Sequence, residues 1–329
     1  MKVLITDPVD DIGISILKES GLEYKYIPES NQKEKIEAIK DAHGLIIRSG
    51  TIVDKKMLNY ASNLKVIGRA GVGIDNIDVI NATRKGVVVM NTPDVNTISA
   101  AEHAMALMLT ISRNTHIGHY DLIKGLWSRH NLIGTELQNK IVGIIGLGKI
   151  GREVMDRCLS FNMKILGYDP YVNQELFSES NITITDLDNV VQKADYITLH
   201  LPLNEKTRNL FDFKRLRMMK PSSKIINVAR GGIINEYDLS RALNEDFISG
   251  AAIDVFTIEP LAQDNPLLSA KNIVLSPHLG ASTKEAKVGV SKAISEQIRD
   301  YLIDDRLTNA INMPISNLSL LKEMQPCVE

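Results

Sequence analysis

The side chains best suited to chemistry stand just after three successive apolar, β-branched runs. One run closes in Asn227-Val228-Ala229-Arg230-Gly231-Gly232, the next in Asp254-Val255-Phe256-Thr257-Ile258-Glu259-Pro260, and the last in Ser276-Pro277-His278-Leu279-Gly280. Ligands of open parallel sheets bind outside the carboxyl ends of the strands, so Arg230, Glu259 and His278 are expected to converge on one edge. An alcohol oxidised by nicotinamide must lose its hydroxyl proton, and histidine titrates nearest the working pH. His278 suits that task. A carboxylate such as Glu259 would favour the protonated ring and fix its orientation, and Arg230 would offer a planar fork to the carboxylate and adjoining carbonyl of an α-keto acid. Taken singly, each has a plainer reading: a surface arginine after a turn, a solvated glutamate before a proline, a strand-end histidine capping a helix. Together, beside a dinucleotide motif, they read as a catalytic trio.

That motif is Gly146-Leu147-Gly148-Lys149-Ile150-Gly151, a G-x-G-x-x-G directly after the run 141–145. The predicted helix after it carries Val154, Met155, Cys158 and Leu159 at helical spacing. Gly146 suits the tight turn, Gly148 the approach of a pyrophosphate to the backbone, and Gly151 close packing of helix on strand. The helix N-terminus then holds the negative charge. Asp169 follows a second run, 18 residues past Gly151, where a carboxylate accepts hydrogen bonds from the adenosine ribose. It would repel a 2′-phosphate, and Pro170-Tyr171 bring no arginine to neutralise one, which favours NAD over NADP.

The elements that must position these residues fall in two sets. Runs at 3–6, 45–47, 66–67 and 87–90 alternate with helix-like segments, as do six denser runs at 141–145, 164–168, 196–201, 224–228, 251–255 and 273–276. This pattern predicts an α/β chain of two doubly wound parallel-sheet domains, one flavodoxin-like and one Rossmann, with a cleft between them. Between the sets, 96–114 reads as a long helix, with Ser99 and Glu102 at capping-box spacing and Ala101, Ala104, Met105, Met108 and Ile111 on one face. The polar helical segment 284–302 completes the scheme most simply by crossing back. The expected domains are therefore 1–95 completed by 283–312 for the substrate, 96–282 for NAD, and a tail at 313–329.

Composition narrows the function classes. A chain of 329 residues with 44% hydrophobic and 24% charged residues has the makings of a folded two-domain protein, which excludes a disordered one. Its net charge of −2 supplies no field for nucleic acid or anionic lipid. The first apolar run is too short for a signal peptide, and no uncharged apolar run approaches a bilayer span. Cys158 and Cys327 suit neither a disulfide framework nor a zinc cluster, so a reducing, cytoplasmic setting is expected. No metal is expected, because His43, His103, His116, His119, His130 and His200 lack ligand spacing and read as structural.

The stretches 146–151, 227–232, 254–260 and 276–283 match, in order and spacing, the D-isomer-specific 2-hydroxyacid dehydrogenases. GRAGVGIDN at 68–76, NTPDVNTISAAE at 91–102 and GTEL at 134–137 resemble a member acting on a phosphorylated 2-hydroxy acid, and the resemblance covers about 1–312. It implies the following roles. Arg230, Glu259 and His278 are catalytic, Asp254 meets the nicotinamide carboxamide, and Lys149 and Ile150 lie along the pyrophosphate. Val72, Leu201, Val228, Ala229 and Gly280 line the cofactor. Val72 and Leu201 stand where relatives carry a hydroxyl, so backbone contacts alone are expected of them. Arg48 and Ser49 hold the substrate phosphate, Gly71 and Asn96 adjoin the substrate, and Arg129 reaches across the interface of a homodimer or homotetramer. The competing readings are a reductase of glyoxylate, hydroxypyruvate or D-lactate, and an NAD-sensing, corepressor-like binding protein. Longer relatives continue past 309–314 into a serine-binding regulatory domain, so feedback through such a domain is not expected of this chain.

Overall fold

Capped helices alternate with buried apolar strands along most of the chain, and the computed structural model describes residues 1–173, 177 and 182–314. Two units result, residues 1–96 with the chain from Thr283, and Thr97–Ser282.

The first unit runs β1 (Lys2–Ile5), α1 (Asp11–Glu19), β2 (Glu23–Tyr26), α2 (Gln32–Ile39), β3 (Gly44–Ile47), α3 (Lys55–Tyr60), β4 (Val66–Arg69), α4 (Val79–Arg84) and β5 (Val88–Asn91). Side chains of Asp10, Asn31, Asp54 and Asp78 accept from the first-turn N–H groups of the four helices, which fixes where each begins. The parallel sheet has the order β2-β1-β3-β4-β5, the flavodoxin-like one. Strands β1 and β3 to β5 are buried almost throughout and so read as continuous apolar runs. The edge strand β2, Glu-Tyr-Lys-Tyr, is exposed at every position, and for want of an apolar pattern the sequence reading passes over it. A helix at Lys284–Asp304, capped by Thr283, covers one face of this sheet. Its Val290, Ile294, Ile298 and Leu302 join Val3, Ile5, Ile46, Val66 and Val88 in one core. Beyond it, Asn312 Oδ1 accepts from the Val89 N–H at 2.7 Å, tying the segment to β5. Of the expected tail, 315–329 lies outside the described residues, Cys327 with it.

The second unit runs α5 (Thr97–Arg113), α6 (Thr115–Ile123), β6 (Ile141–Ile145), α7 (Lys149–Ser160), β7 (Lys164–Tyr168), β8 (Ile182–Ile184), α8 (Leu187–Lys193), β9 (Tyr196–Leu199), α9 (Phe213–Leu216), β10 (Lys224–Asn227), α10 (Glu236–Asn244), β11 (Gly250–Ile253) and β12 (Ile273–Leu275). Its parallel sheet has the order β12-β11-β10-β9-β6-β7-β8 and turns back at β6/β9. Seven strands replace the six expected, the addition being the edge strand β8, Ile-Thr-Ile, whose three residues make a run too short to stand out. Four strands stop one or two residues before their expected ends at 201, 228, 255 and 276. There the backbone leaves the ladder and polar side chains take over. Helix α5 begins at Thr97, so Ser99 is a buried first-turn residue and not the N-cap that its spacing to Glu102 suggested. Ala101, Ala104, Met105, Met108 and Ile111 of α5 pack with Val154, Met155 and Cys158 of α7 on one face of the sheet. The other face holds Ile145, Ile197, Ile225 and Ile253 against Val190, Leu239 and Leu243. Among the described residues, no helix is long and apolar enough to cross a membrane.

Candidate active site

The Gly-rich turn leaves β6 at the point where the second sheet changes direction, the place where such sheets bind ligands. Gly146 takes φ +97°, and a Cβ there would lie 2.3 Å from the His200 carbonyl oxygen at the end of β9. A Cβ at Gly151 would lie 2.0 Å from the Gly146 carbonyl oxygen, so helix and turn approach as only glycine permits. Gly148 differs. It is the N-cap of α7, supplies no side-chain cap, and a Cβ added to it would meet nothing within 4 Å. A helix that starts on a glycine with no capping side chain has first-turn N–H groups of the kind that can hold an anion. Asp169 Oδ2 accepts from the Leu147 N–H at 2.9 Å and its Oδ1 from the Tyr171 N–H at 2.9 Å. One carboxylate therefore steadies the turn and keeps further lone pairs for ribose hydroxyls. These residues fit a dinucleotide. Lys149 is exposed and Ile150 half-buried at the start of α7, while Leu201, Val228 and Ala229 follow β9 and β10 and face the second unit's core in whole or part. Cys158 is buried in α7, where desolvation pushes its thiol up to about 12 and leaves it unreactive.

Strands β10, β11 and β12 are neighbours, so the loops bearing Arg230, Glu259 and His278 share one edge of the sheet. Asn227 fixes the first loop: its Oδ1 accepts from the Ala229 N–H at 3.0 Å and its Nδ2 donates to the Arg230 carbonyl at 2.9 Å. The Arg230 Nη1 donates to the Ala229 carbonyl at 2.7 Å. Glu259 and His278 meet directly, Oε2 to Nδ1, at 2.6 Å. The Phe256 N–H donates to the other glutamate oxygen at 3.0 Å. Partial burial would raise the Glu259 carboxyl, but the bonds from His278 and Phe256 outweigh it and hold the group below the ordinary carboxylate range. An ionised Glu259 keeps the proton on Nδ1 and leaves Nε2 to a substrate. The side chains of His278 and Glu259 are 42% and 36% exposed, open enough for a ligand to reach them.

Asp254, expected at a cofactor carboxamide, is completely buried with both oxygens engaged. Its Oδ1 meets His103 Nε2 at 3.0 Å, the Ser276 hydroxyl at 2.6 Å and the Leu279 N–H at 2.8 Å, and its Oδ2 accepts from the Gly280 N–H at 2.9 Å. Burial favours the neutral acid, yet these bonds, His103 and Ser276 foremost, hold the carboxyl below its usual range. The sequence reading missed His103 and Ser276 as its partners. One signal was available: His103 flanks Ala100, Ala104 and Leu107, all buried, and a polar ring beside an inward helix face needs a partner.

In the first unit, Arg48 and Ser49 follow β3 at that sheet's own switch point, β1/β3. Asp7, after β1, accepts from the Arg48 N–H at 2.6 Å, the Thr51 N–H at 3.0 Å and the Thr51 hydroxyl at 2.7 Å. Asn76 Nδ2 donates to the carbonyls of Arg48 and Thr51 at 2.7 and 2.6 Å, so the loop is held from both sides. Asp7 and Asn76 are further positioning residues that the sequence reading left out. Gly71 adopts φ +143°, and the neighbouring Val72 carbonyl accepts from Asn91 Nδ2 at 2.7 Å. Asn96, the last residue of this segment, has a buried Oδ1 without a hydrogen-bond partner. Arg129 belongs to the second unit, exposed in a 3₁₀ turn at Arg129–Asn131. Among the described residues, no group of three or more His, Cys, Asp or Glu side chains is placed to hold a metal ion.

A parallel sheet that opens onto a Gly-rich turn, with an acid at the end of the next strand, defines a dinucleotide-binding α/β protein. Residues 105–280 match the family described as D-isomer specific 2-hydroxyacid dehydrogenase, NAD binding domain, and the chain belongs to that family, with NAD its cofactor. It is 42% identical over 325 residues to a D-3-phosphoglycerate dehydrogenase of Synechocystis, covering 99% of this chain and 58% of the relative. With the D-3-phosphoglycerate dehydrogenase of Methanocaldococcus jannaschii it shares 43% identity over 327 residues, 99% of this chain and 62% of that one. The chain thus spans about three fifths of the length of these relatives. Among solved structures, an NAD-dependent formate dehydrogenase from Staphylococcus aureus in complex with NAD superimposes with a TM-score of 0.86 at 28% identity, covering 95% of this chain and 99% of the other.

Proposed function

We propose that the chain catalyses NAD-dependent oxidation of 3-phospho-D-glycerate to 3-phosphohydroxypyruvate, the first step of serine biosynthesis. The observation that carries the chemistry is the 2.6 Å contact of Glu259 with His278 on the edge that follows β10 to β12. The substrate comes from the relatives, whose name is D-3-phosphoglycerate dehydrogenase. Bound NAD supplies the acceptor for the hydrogen and electron pair leaving the substrate's C2. His278 Nε2 takes the hydroxyl proton, and Glu259 stabilises the imidazolium so formed. Arg230 grips the substrate carboxylate and the carbonyl oxygen as it forms. The first-turn N–H groups of α7, with Gly146, Gly148, Lys149, Ile150 and Gly151, hold the pyrophosphate, and Asp169 holds the ribose. Leu201, Val228, Ala229, Gly280 and Val72 line the cofactor, and Asp254 is assigned to its carboxamide. Arg48 and Ser49 hold the substrate phosphate, Gly71 and Asn96 adjoin the substrate, and Arg129 serves a second copy.

We assign substrate binding to 1–95 with 283–312, NAD binding to 96–282, and the chain as a whole to the cytoplasm. A homodimer or homotetramer is supported by an apolar run on the second unit's surface, where Ile123, Trp127 and Ile133 are 72%, 78% and 85% exposed and Leu122 and Leu126 lie open beside them. The deciding experiment offers 3-phospho-D-glycerate, D-glycerate and D-lactate with NAD and with NADP. The phosphorylated acid with NAD should give the highest kcat/KM. Preference for D-lactate or glycerate would establish the reductase reading, and tight NAD binding without turnover of any acid the binding-protein reading. Arg48→Ala should lower kcat/KM for 3-phospho-D-glycerate roughly tenfold to a hundredfold, the cost of about 1.5 to 3 kcal/mol for a charge-assisted bond, and leave glycerate unchanged. Equal damage to both substrates would reassign Arg48 to the fold.

A further inference from the structure

His278 holds a left-handed backbone, φ +55°, uncommon outside glycine, and most of the bonds around it meet at one residue. Its own N–H donates to the Asp254 carbonyl at 2.8 Å. The next two N–H groups, of Leu279 and Gly280, go to the Asp254 carboxylate, and so does the hydroxyl of Ser276, two residues before. These donors all belong to one turn and would move with it. His103 does not: it comes from α5, and its Nε2 stands 3.0 Å from Asp254 Oδ1 and 3.2 Å from the Ser276 oxygen. Facing a carboxylate, Nε2 must carry the proton, so His103 donates. The side chain of His103 is 18% exposed and that of Asp254 fully enclosed, so water is poorly placed to replace this donor.

We infer that His103 is a positioning residue for the proton transfer at His278. Its Nε2–H anchors the Asp254 carboxylate to α5, the carboxylate anchors the turn 276–280, and the turn holds the His278 ring against Glu259. The inference rests on the reading of His278 as the proton acceptor. Without the α5 donor, the carboxylate loses its one bond outside the turn 276–280, and the turn shifts with it. A displacement of about 1 Å at a reacting group costs on the order of a hundredfold in rate.

The test compares His103→Leu, His103→Gln, Ser276→Ala and His278→Asn in the full chain, with NAD and 3-phospho-D-glycerate carrying protium or deuterium at C2. His103→Leu should lower kcat about tenfold to a hundredfold, keep the Kd for NAD within about threefold, and raise the deuterium isotope effect on kcat as the chemical step becomes limiting. His103→Gln, which restores a donor at similar reach, should recover kcat to within about fivefold of wild type. Ser276→Ala should move kcat and isotope effect in the same direction. The inference falls if His103→Leu keeps kcat within threefold, if its activity declines only with the folded fraction at an unchanged isotope effect, or if His103→Gln is no better than His103→Leu. Should His103→Leu fail to fold, Ser276→Ala decides: a wild-type kcat and isotope effect there overturn the inference. Retained turnover in His278→Asn would remove the proton-acceptor reading and this inference with it, whereas loss there beside an intact His103→Leu removes the inference alone.

Discussion

Glu259 and His278 form a pair whose members arrive on loops following adjacent strands, and the 2.6 Å contact gives each a defined task. The glutamate lies below the ordinary carboxylate range, and on the proposed reading it orients the ring while the ring carries the proton. A positioned acid or base is worth about 10² to 10⁴ in rate, so His278→Asn should lower kcat by that factor while NAD still binds, as steady-state kinetics with calorimetric titration would show. Asp254 has a second signature. Its carboxyl lies below the ordinary value, so under mildly acid conditions the unfolded chain takes up a proton that the folded chain refuses. Its stabilising effect is full above the usual aspartate pKa, about 3.9, and fades as pH falls through the lower folded value. Asp254→Asn should flatten the fall of Tm with acid relative to wild type; parallel Tm curves would contradict this. The placement of Arg230, Glu259 and His278 after adjacent strands, and the glycine turn, were legible in the sequence because strand ends and motif spacing mark them. His103 was not, because it stands 151 residues from Asp254 in the chain and only the packing of α5 unites them.

At the scale of elements, the turn between β6 and α7 works because its neighbours leave no slack. The backbone oxygens of His200 and Gly146 crowd the positions a side chain would need at Gly146 and Gly151, while Asp169, from the end of β7, clamps Leu147. On the proposed reading, Asp169→Ala removes both a ribose partner and the group that repels a 2′-phosphate. NAD should bind more weakly and the ratio of kcat/KM for NAD over NADP should fall; an unchanged ratio would locate selectivity in another residue. Most strands were readable from their β-branched runs, since burial on both faces leaves them continuously apolar. Edge strand β2 was not, because its exposed Glu-Tyr-Lys-Tyr has no need of that pattern, and β8, though β-branched, is only three residues long. The extent of α5 was legible but its cap was not: Ser99 and Glu102 have the spacing of a capping box, yet Ser99 lies buried in the first turn.

For the whole molecule the decisive feature is a chain that leaves its first unit at Asn96 and returns at Thr283. The segments on the second-unit side of both crossings are tied to one residue, since Asp254 bonds His103 near the first crossing and Leu279 and Gly280 near the second. On the first-unit side, the returning helix is part of the core, with Ile294 and Ile298 wholly buried and Leu302 nearly so. The first sheet would otherwise expose Val3, Ile5, Ile46, Val66 and Val88, so residues 1–96 depend on a helix made almost two hundred residues later. Ile298→Ala leaves the helix intact but opens a cavity against that sheet, and truncations of this kind cost about 2 to 5 kcal/mol according to how far the site collapses. Chemical denaturation should report a loss in that range. The Gly-rich turn, Asp169 and the Glu259–His278 pair all belong to the other unit, so the Kd for NAD measured well below the denaturation midpoint should stay within about twofold of wild type. A loss of stability under about 1 kcal/mol would mean that the helix lies on the sheet without being needed by it, and the first unit would then stand on residues 1–96 alone.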